Sequence, residues 1–192
     1  MKTSKYYVQK MLQIDWSKTS DNNKLFLSAI TALEFAQSQR LANMVHPNNK
    51  GVQAMSAEEL MTDNLRFGSY TETGDHVDFL LSELSSKEII FSIEKTLLVA
   101  GLKYLSAVGK FTPAERAMTV FSRERELPNI FKNLLLFPMG DKYNFYKYYL
   151  KQHILLDSQD GGHADMISDM ELDEEVLKRY YEIRFRFYQT AF

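Results

Sequence analysis

The 192-residue sequence predicts an all-α domain of about seven helices. Apolar residues recur at the spacing of helix faces, and no long alternating run indicates a half-buried strand. Only 8 glycines and 4 prolines interrupt the chain, which favours long helices joined by short connections. Because 45% of the residues are hydrophobic and no repeat or linker divides them, residues 1–192 are expected to form a single domain around one core.

Helix boundaries in the first half of the chain follow from breakers and capping residues. The first four helices are predicted near residues 3–14, 20–45, 56–66 and 74–84. The second should stop at His46-Pro47, because a proline disfavours helix in the residue before it. Ser85-Ser86-Lys87-Glu88 matches a capping box, which predicts a long fifth helix starting there and running to about Val108.

The second half of the chain shows a further capping box and two acidic caps. Thr112-Pro113-Ala114-Glu115 combines a capping box with proline at the first helical position, and Pro128 is expected to kink or break the helix that follows. Asp141 is expected to cap a helix over about 142–159, and Asp173 is expected to cap the last helix.

Composition excludes several classes of site. With no cysteine, the chain cannot form a disulfide, a thiolate zinc site or an iron–sulfur cluster, so a metal would need nitrogen and oxygen ligands. The balance of 23 basic and 25 acidic residues gives no field that would attract nucleic acid. No segment matches a signal peptide or a membrane span, so a soluble cytoplasmic protein is expected.

Three residues four positions apart form the clearest chemical pattern. Tyr149, His153 and Asp157 fall on one helix face, and His163, beyond a glycine pair, can return to the same point. Imidazole with carboxylate and no sulfur is typical of non-heme iron or manganese, with zinc possible. An ordinary polar pair on a helix surface is the alternative. Burial of this face is expected from its apolar neighbours Tyr146, Leu150 and Ile154.

Glu124 and His76 are ambiguous when each is taken alone. Glu124 lies in a helix with an apolar side and could instead form a surface ion pair with Arg123, Arg125 or Lys132. His76 could be a hydrogen-bonded structural residue. If the site exists, Glu124 should approach His153 closely.

A family resemblance joins these residues. Three stretches, Phe121 to Phe131, Tyr148 to His163 and Asp75 to Leu81, resemble the metal-binding helices of CADD-like and iron-containing redox proteins, which belong to the heme-oxygenase-like diiron superfamily. The resemblance covers about residues 55–170 and implies a heme-oxygenase-like bundle. It also implies that Glu124 bridges two metals and that the other ligands are His76, His153, Asp157 and His163.

The sequence departs from the family pattern at two places. The family has a glutamate shortly before the histidine equivalent to His76, and here Glu72 is the nearest acid, with Glu34 and Glu59 as more distant candidates. The interval from Asp157 to His163 is also longer than the family's, so Asp160 is an alternative last ligand. The expected cofactor is therefore one or two ions, either iron or an iron and manganese pair.

The resemblance implies a non-heme oxidase or oxygenase that activates dioxygen to oxidise a small organic substrate, with a homodimer as a candidate assembly. Tyr149 is the candidate catalytic residue, and simple core packing is its alternative role. Heme is not expected, because His46 precedes a proline and is poorly placed as an axial ligand. A non-catalytic binding or interaction protein with the same fold and an incomplete metal site is the alternative function. A hydrophobic substrate is favoured by nearby apolar residues: Phe79, Leu80, Ile130, Leu134 and Ile154.

Overall fold

The computed structural model describes residues 2–60, 76–86, 89–158 and 162–192. These segments are helical, apart from three 3₁₀ turns and the connections, and contain no strand. The α-helices are α1 Ser4–Leu12, α2 Asp21–Val45, α3 Lys50–Leu60, α4 His76–Ser86, α5 Lys95–Val108, α6 Pro113–Leu135, α7 Asn144–Ser158, α8 His163–Met166 and α9 Glu174–Gln189. Eight of them are longer than a single turn, so the prediction of an all-α bundle of about seven helices is confirmed.

Two predicted caps are present. The Thr112 hydroxyl accepts from the Glu115 amide at 3.2 Å, and the Glu115 carboxylate accepts from the Thr112 amide at 2.7 Å. The Asp173 carboxylate accepts from the first amides of α9. These bonds satisfy amide groups that a helix start would otherwise leave without a partner.

Of the predicted kink or break at Pro128, the break does not occur, since α6 continues to Leu135, and the kink stays a prediction. Proline inside a helix removes one backbone hydrogen bond and presses its ring against the preceding turn, at a cost of about 3 kcal/mol. Leu127 and Phe131 on either side of it are buried, so tertiary packing holds the two halves of α6 together.

The capping box predicted at Ser85 is wrong. Ser85 lies inside α4, a 3₁₀ turn follows at Ile89–Ser92, and α5 begins only at Lys95. Ile89 and Ile93 are buried at 5% and 6% exposure, so packing of this turn outweighs the local capping pattern.

Two other helix starts also differ from the prediction. The third helix begins at Lys50 rather than near residue 56. At this start the Asn49 side-chain oxygen accepts a hydrogen bond from the Val52 amide at 3.0 Å. Its predicted end near 66 lies outside the described residues. Asp141 opens a 3₁₀ turn, Asp141–Tyr143, which leads directly into α7.

The long helix α2 lies at the centre and packs mainly against α6. Helix α6 also packs against α7, and helix α9 packs against α1. Thr31 and Glu34 contact Arg123, whereas Ser38, further along α2, contacts Arg116, so α2 and α6 run antiparallel. Besides the main core there is a second core, made by Phe35, Ala42, Val52, Met55, Ala117, Val120, Phe121 and Ile167.

A buried polar network fixes α2 against α5, α6 and α9. One Glu34 carboxylate oxygen accepts from Tyr104 at 2.8 Å, Tyr180 at 3.1 Å and Arg123 at 3.1 Å. The other oxygen accepts from Ser38 at 2.7 Å. Burial raises the pKa of Tyr180 to about 12, so its phenol stays protonated and donates to the carboxylate. The network thereby sets the rotation of α6, the helix that also contains Glu124.

Candidate metal site

Helix α6 places Glu124 in the interior. Its side chain is 1% exposed and lies one turn beyond Phe121 of the second core. The sequence left open a surface ion pair between Glu124 and a neighbouring arginine, but both of its arginine neighbours bond other groups. Arg123 bonds Glu34 and covers the Phe35 ring at 4.4 Å, while Arg125 donates to the carbonyls of Ile167 and Ser168.

Helix α7 contributes His153 and Asp157 from its buried face. Tyr149 is 4% exposed, His153 is 2% and Asp157 is 6%, which confirms that these three residues lie on a buried face of α7, while Ile154 beside them is half-buried. His153 Nδ1 lies 3.0 Å from the Tyr149 carbonyl oxygen. When Nδ1–H donates to this carbonyl, the Nε2 lone pair is left to serve as a ligand, as is usual for metal-bound histidine.

Helix α8 places His163 against both acids. His163 is 1% exposed, and its Nδ1 lies 3.1 Å from Glu124 Oε2 and 3.0 Å from Asp157 Oδ1. One donor atom from each residue lies within 4.8 Å of the other two. We call Glu124, Asp157 and His163 the triad.

Tertiary contacts hold α8 in place, since a single helical turn is not stable alone. Arg125 Nη2 donates to the Ile167 carbonyl at 3.0 Å and to the Ser168 carbonyl at 3.3 Å, which ties the residues directly after α8 to α6. On the other side, α3 approaches so closely that a Cβ on Gly51 would lie 2.9 Å from the Met166 carbonyl carbon and nearer still to its oxygen. Neither contact could be predicted from local sequence patterns, because each joins segments far apart in the chain.

The triad has the donor atoms of a cation site. Its two buried carboxylates offer oxygen atoms and its buried imidazole offers a nitrogen atom. First-row divalent metals accept carboxylate and imidazole ligands, so one bound ion could be held by all three side chains.

The spacing of the triad also fits a metal ion. Two ligands bound cis about an octahedral ion, each about 2.1 Å from it, lie about 3.0 Å apart. The Nδ1 to carboxylate distances of 3.0 and 3.1 Å match that edge. Three protein ligands would leave positions open for other molecules, as in catalytic rather than structural sites.

The other predicted ligands are not part of the triad. His153 is buried nearby but is not in the group of described residues whose donor atoms meet, so its role as a ligand stays a prediction. Glu34 uses both carboxylate oxygens in the polar network. His76 begins α4, but its side chain lies outside the described residues, as does that of Glu59. Glu72 and Asp160 lie outside them altogether.

Tyr149, the candidate catalytic residue, lies beside His153. Their ring centroids are 4.2 Å apart, and Phe131 contacts the same imidazole edge-on at 5.8 Å. The ring of Phe79, in α4, is stacked on the Tyr149 ring with the centroids 6.1 Å apart. The surroundings of His153 are thus aromatic.

Within the described segments, no helix combines the length and apolar character needed to cross a membrane. Searches among family models, curated proteins and solved structures gave no match to this chain, so the functional argument depends on the geometry of the triad.

Proposed function

We propose that the triad binds iron or manganese and that the chain is a non-heme oxidase or oxygenase acting with dioxygen on a small organic substrate. The main support is the convergence of two carboxylates and one imidazole nitrogen at 3.0 to 3.1 Å in the interior. This oxygen-rich set without sulfur suits a first-row metal that changes oxidation state.

The side chains have distinct roles in this proposal. When bound, the metal would supply redox chemistry and open coordination positions. Glu124 and Asp157 would hold it through carboxylate oxygens and offset its charge. His163 would bind through Nδ1, which places its proton on Nε2. The aromatic rings around His153 would exclude water from that side, and Tyr149 is the candidate hydrogen-bond donor to substrate.

A second ion is an extension of the same proposal. His153 has its Nδ1 beside a backbone carbonyl, so its Nε2 is suited to a further metal position. Completing that position would require His76 and either Glu72 or Asp160, as the family resemblance implies. A chain with one ion would use the triad alone.

A metal-free alternative also has an observation in its favour. The Nδ1 of His163 lies at hydrogen-bond distance from both carboxylates, so an imidazolium could link them as a purely structural cluster. In that case the chain would be a binding or interaction protein with the same helical architecture.

Metal analysis of isosteric variants separates the two functions. The protein is purified without chelator, loaded anaerobically with ferrous iron and assayed for bound metal and for thermal stability. We expect stoichiometric metal in the parent chain, and its loss in Asp157→Asn and Glu124→Gln. Glu126→Gln, two positions further along α6 and outside the triad, is the matched control and should retain metal.

The metal-free cluster makes the opposite prediction. The parent would bind no iron or manganese, yet Asp157→Asn and Glu124→Gln would each lower stability by about 3 kcal/mol, because a buried charged partner is lost. That result would refute the oxidase proposal. Oxygen uptake by the iron-loaded parent, screened against small organic compounds, tests the catalytic part of the proposal.

A further inference from the structure

Gln39 is a buried side chain whose polar groups have no partner. It is 0% exposed, and within the described residues neither its amide oxygen nor its amide nitrogen makes a hydrogen bond. Asn43, one helical turn later, donates to Ser56 but leaves its own amide oxygen without a hydrogen bond.

Such a concentration of unsatisfied groups is unusual. Buried amides are nearly always hydrogen-bonded, because an unpaired one loses its interactions with water and gains nothing in return. Three unsatisfied atoms here lie on successive turns of a single helix face. A ligand that bonds them would remove this cost.

The position of Gln39 relates it to the triad. Phe35, one turn before Gln39, and Ala42, three residues after it, share its face of α2 and belong to the second core. The second core also contains Phe121, one turn before Glu124, and Ile167, one turn after His163. Gln39 therefore lies on the face of α2 that packs into the second core, and this core includes residues one turn from Glu124 and from His163.

The available groups define the chemistry of a ligand. The Gln39 and Asn43 oxygens need donors, and the Gln39 nitrogen needs an acceptor. A carboxylate has no donor and would be repelled by the two acids of the triad, whereas an ammonium has no acceptor. A neutral carboxamide has both, and an aryl or alkyl body would suit Phe35 and Phe121.

We propose that Gln39, together with Asn43, anchors the carboxamide group of an apolar substrate beside the metal site. The inference rests on the proposed function, since it names the substrate class of that oxidase. Gln39 is a binding residue in this scheme and does not hold the metal.

The test uses benzamide as the probe and benzoate and benzylamine as matched controls of similar shape. Binding to the full chain is measured by calorimetry and by thermal shift, with bound metal determined on the same samples. We expect benzamide to bind at least tenfold more tightly than either control. Gln39→Met should weaken benzamide at least tenfold while metal content stays at the parent level.

Stability gives an independent readout. Removing an unsatisfied buried amide should raise the Tm of ligand-free Gln39→Met by about 2 to 8 °C. If Gln39 instead stabilised the fold through hydrogen bonds, the same substitution would lower the Tm. Gln37→Met, an exposed position on the same helix, should change neither property. Should methionine prove too long for the site, Gln39→Leu serves as the second variant.

Two outcomes would overturn the inference. One is that the chain binds benzamide, benzoate and benzylamine equally well, or binds none of the three. The other is a Gln39→Met chain that binds benzamide like the parent or unfolds at a lower temperature. Loss of metal from the parent chain would instead count against the proposed function.

Discussion

Replacing Gly51 by alanine should weaken metal binding although Gly51 touches no ligand. The new Cβ would lie 2.9 Å from the Met166 carbonyl carbon, whereas ordinary carbon contacts are about 3.5 to 4.0 Å. Backbone atoms cannot rotate away as a side chain can. The helices α3 and α8 must therefore separate by on the order of 1 Å.

That displacement would reach the triad directly. Met166 is the last residue of α8 and His163 is the first, so the imidazole moves with the helix. A shift of this size is a large fraction of the 3.0 and 3.1 Å spacings that define the site. We expect metal affinity to fall by about 10- to 100-fold, as for loss of a supporting contact, with an overpacking cost of about 1 to 3 kcal/mol.

Competitive metal titration with a chromogenic chelator measures this effect, and urea unfolding measures the stability. Gly101→Ala is the matched control, because Gly101 is also a helical glycine but its new Cβ would meet only side-chain atoms, the Phe26 ring at 3.2 Å and Ile30 Cγ1 at 3.5 Å. It should leave metal affinity unchanged. If Gly51→Ala binds metal like the parent, the close approach of α3 does not position His163.

Three other predictions follow from the same structure. Arg125→Met should lower metal affinity, because it removes the hydrogen bonds that hold the end of α8, and Arg125→Lys should lower it less. Chelator titration measures both variants, and equal metal affinity in the two would contradict the role of Arg125. Glu34→Leu should destabilise the fold by about 3 to 5 kcal/mol in urea unfolding, since Arg123 is left buried without its carboxylate, and an unchanged midpoint would contradict this. Stability should also fall between about pH 10 and 12, because Tyr180 stays protonated in the native state while the unfolded chain loses that proton. Tyr180→Phe should flatten that part of the pH profile, and an identical slope would show that Tyr180 does not titrate in this way.

Local sequence determined those features that depend on residues within one or two helical turns. The capping box at Thr112 and the cap at Asp173 are contacts between near neighbours, so the starts of α6 and α9 could be predicted. Helical periodicity likewise placed His153 and Asp157 on one face, and their burial was inferred from the apolar residues beside that face.

Tertiary structure decided what depends on distant segments. Local patterns at Ser85 and Pro128 were overridden because burial of neighbouring apolar residues outweighs a single cap or a single backbone hydrogen bond. The return of His163 to Glu124 and Asp157 requires α8 to be held by Arg125 and by the close approach of Gly51. These contacts join parts of the chain that local periodicity cannot relate, so sequence supplied the candidate ligands and the packing of α3, α6 and α8 selected which of them meet.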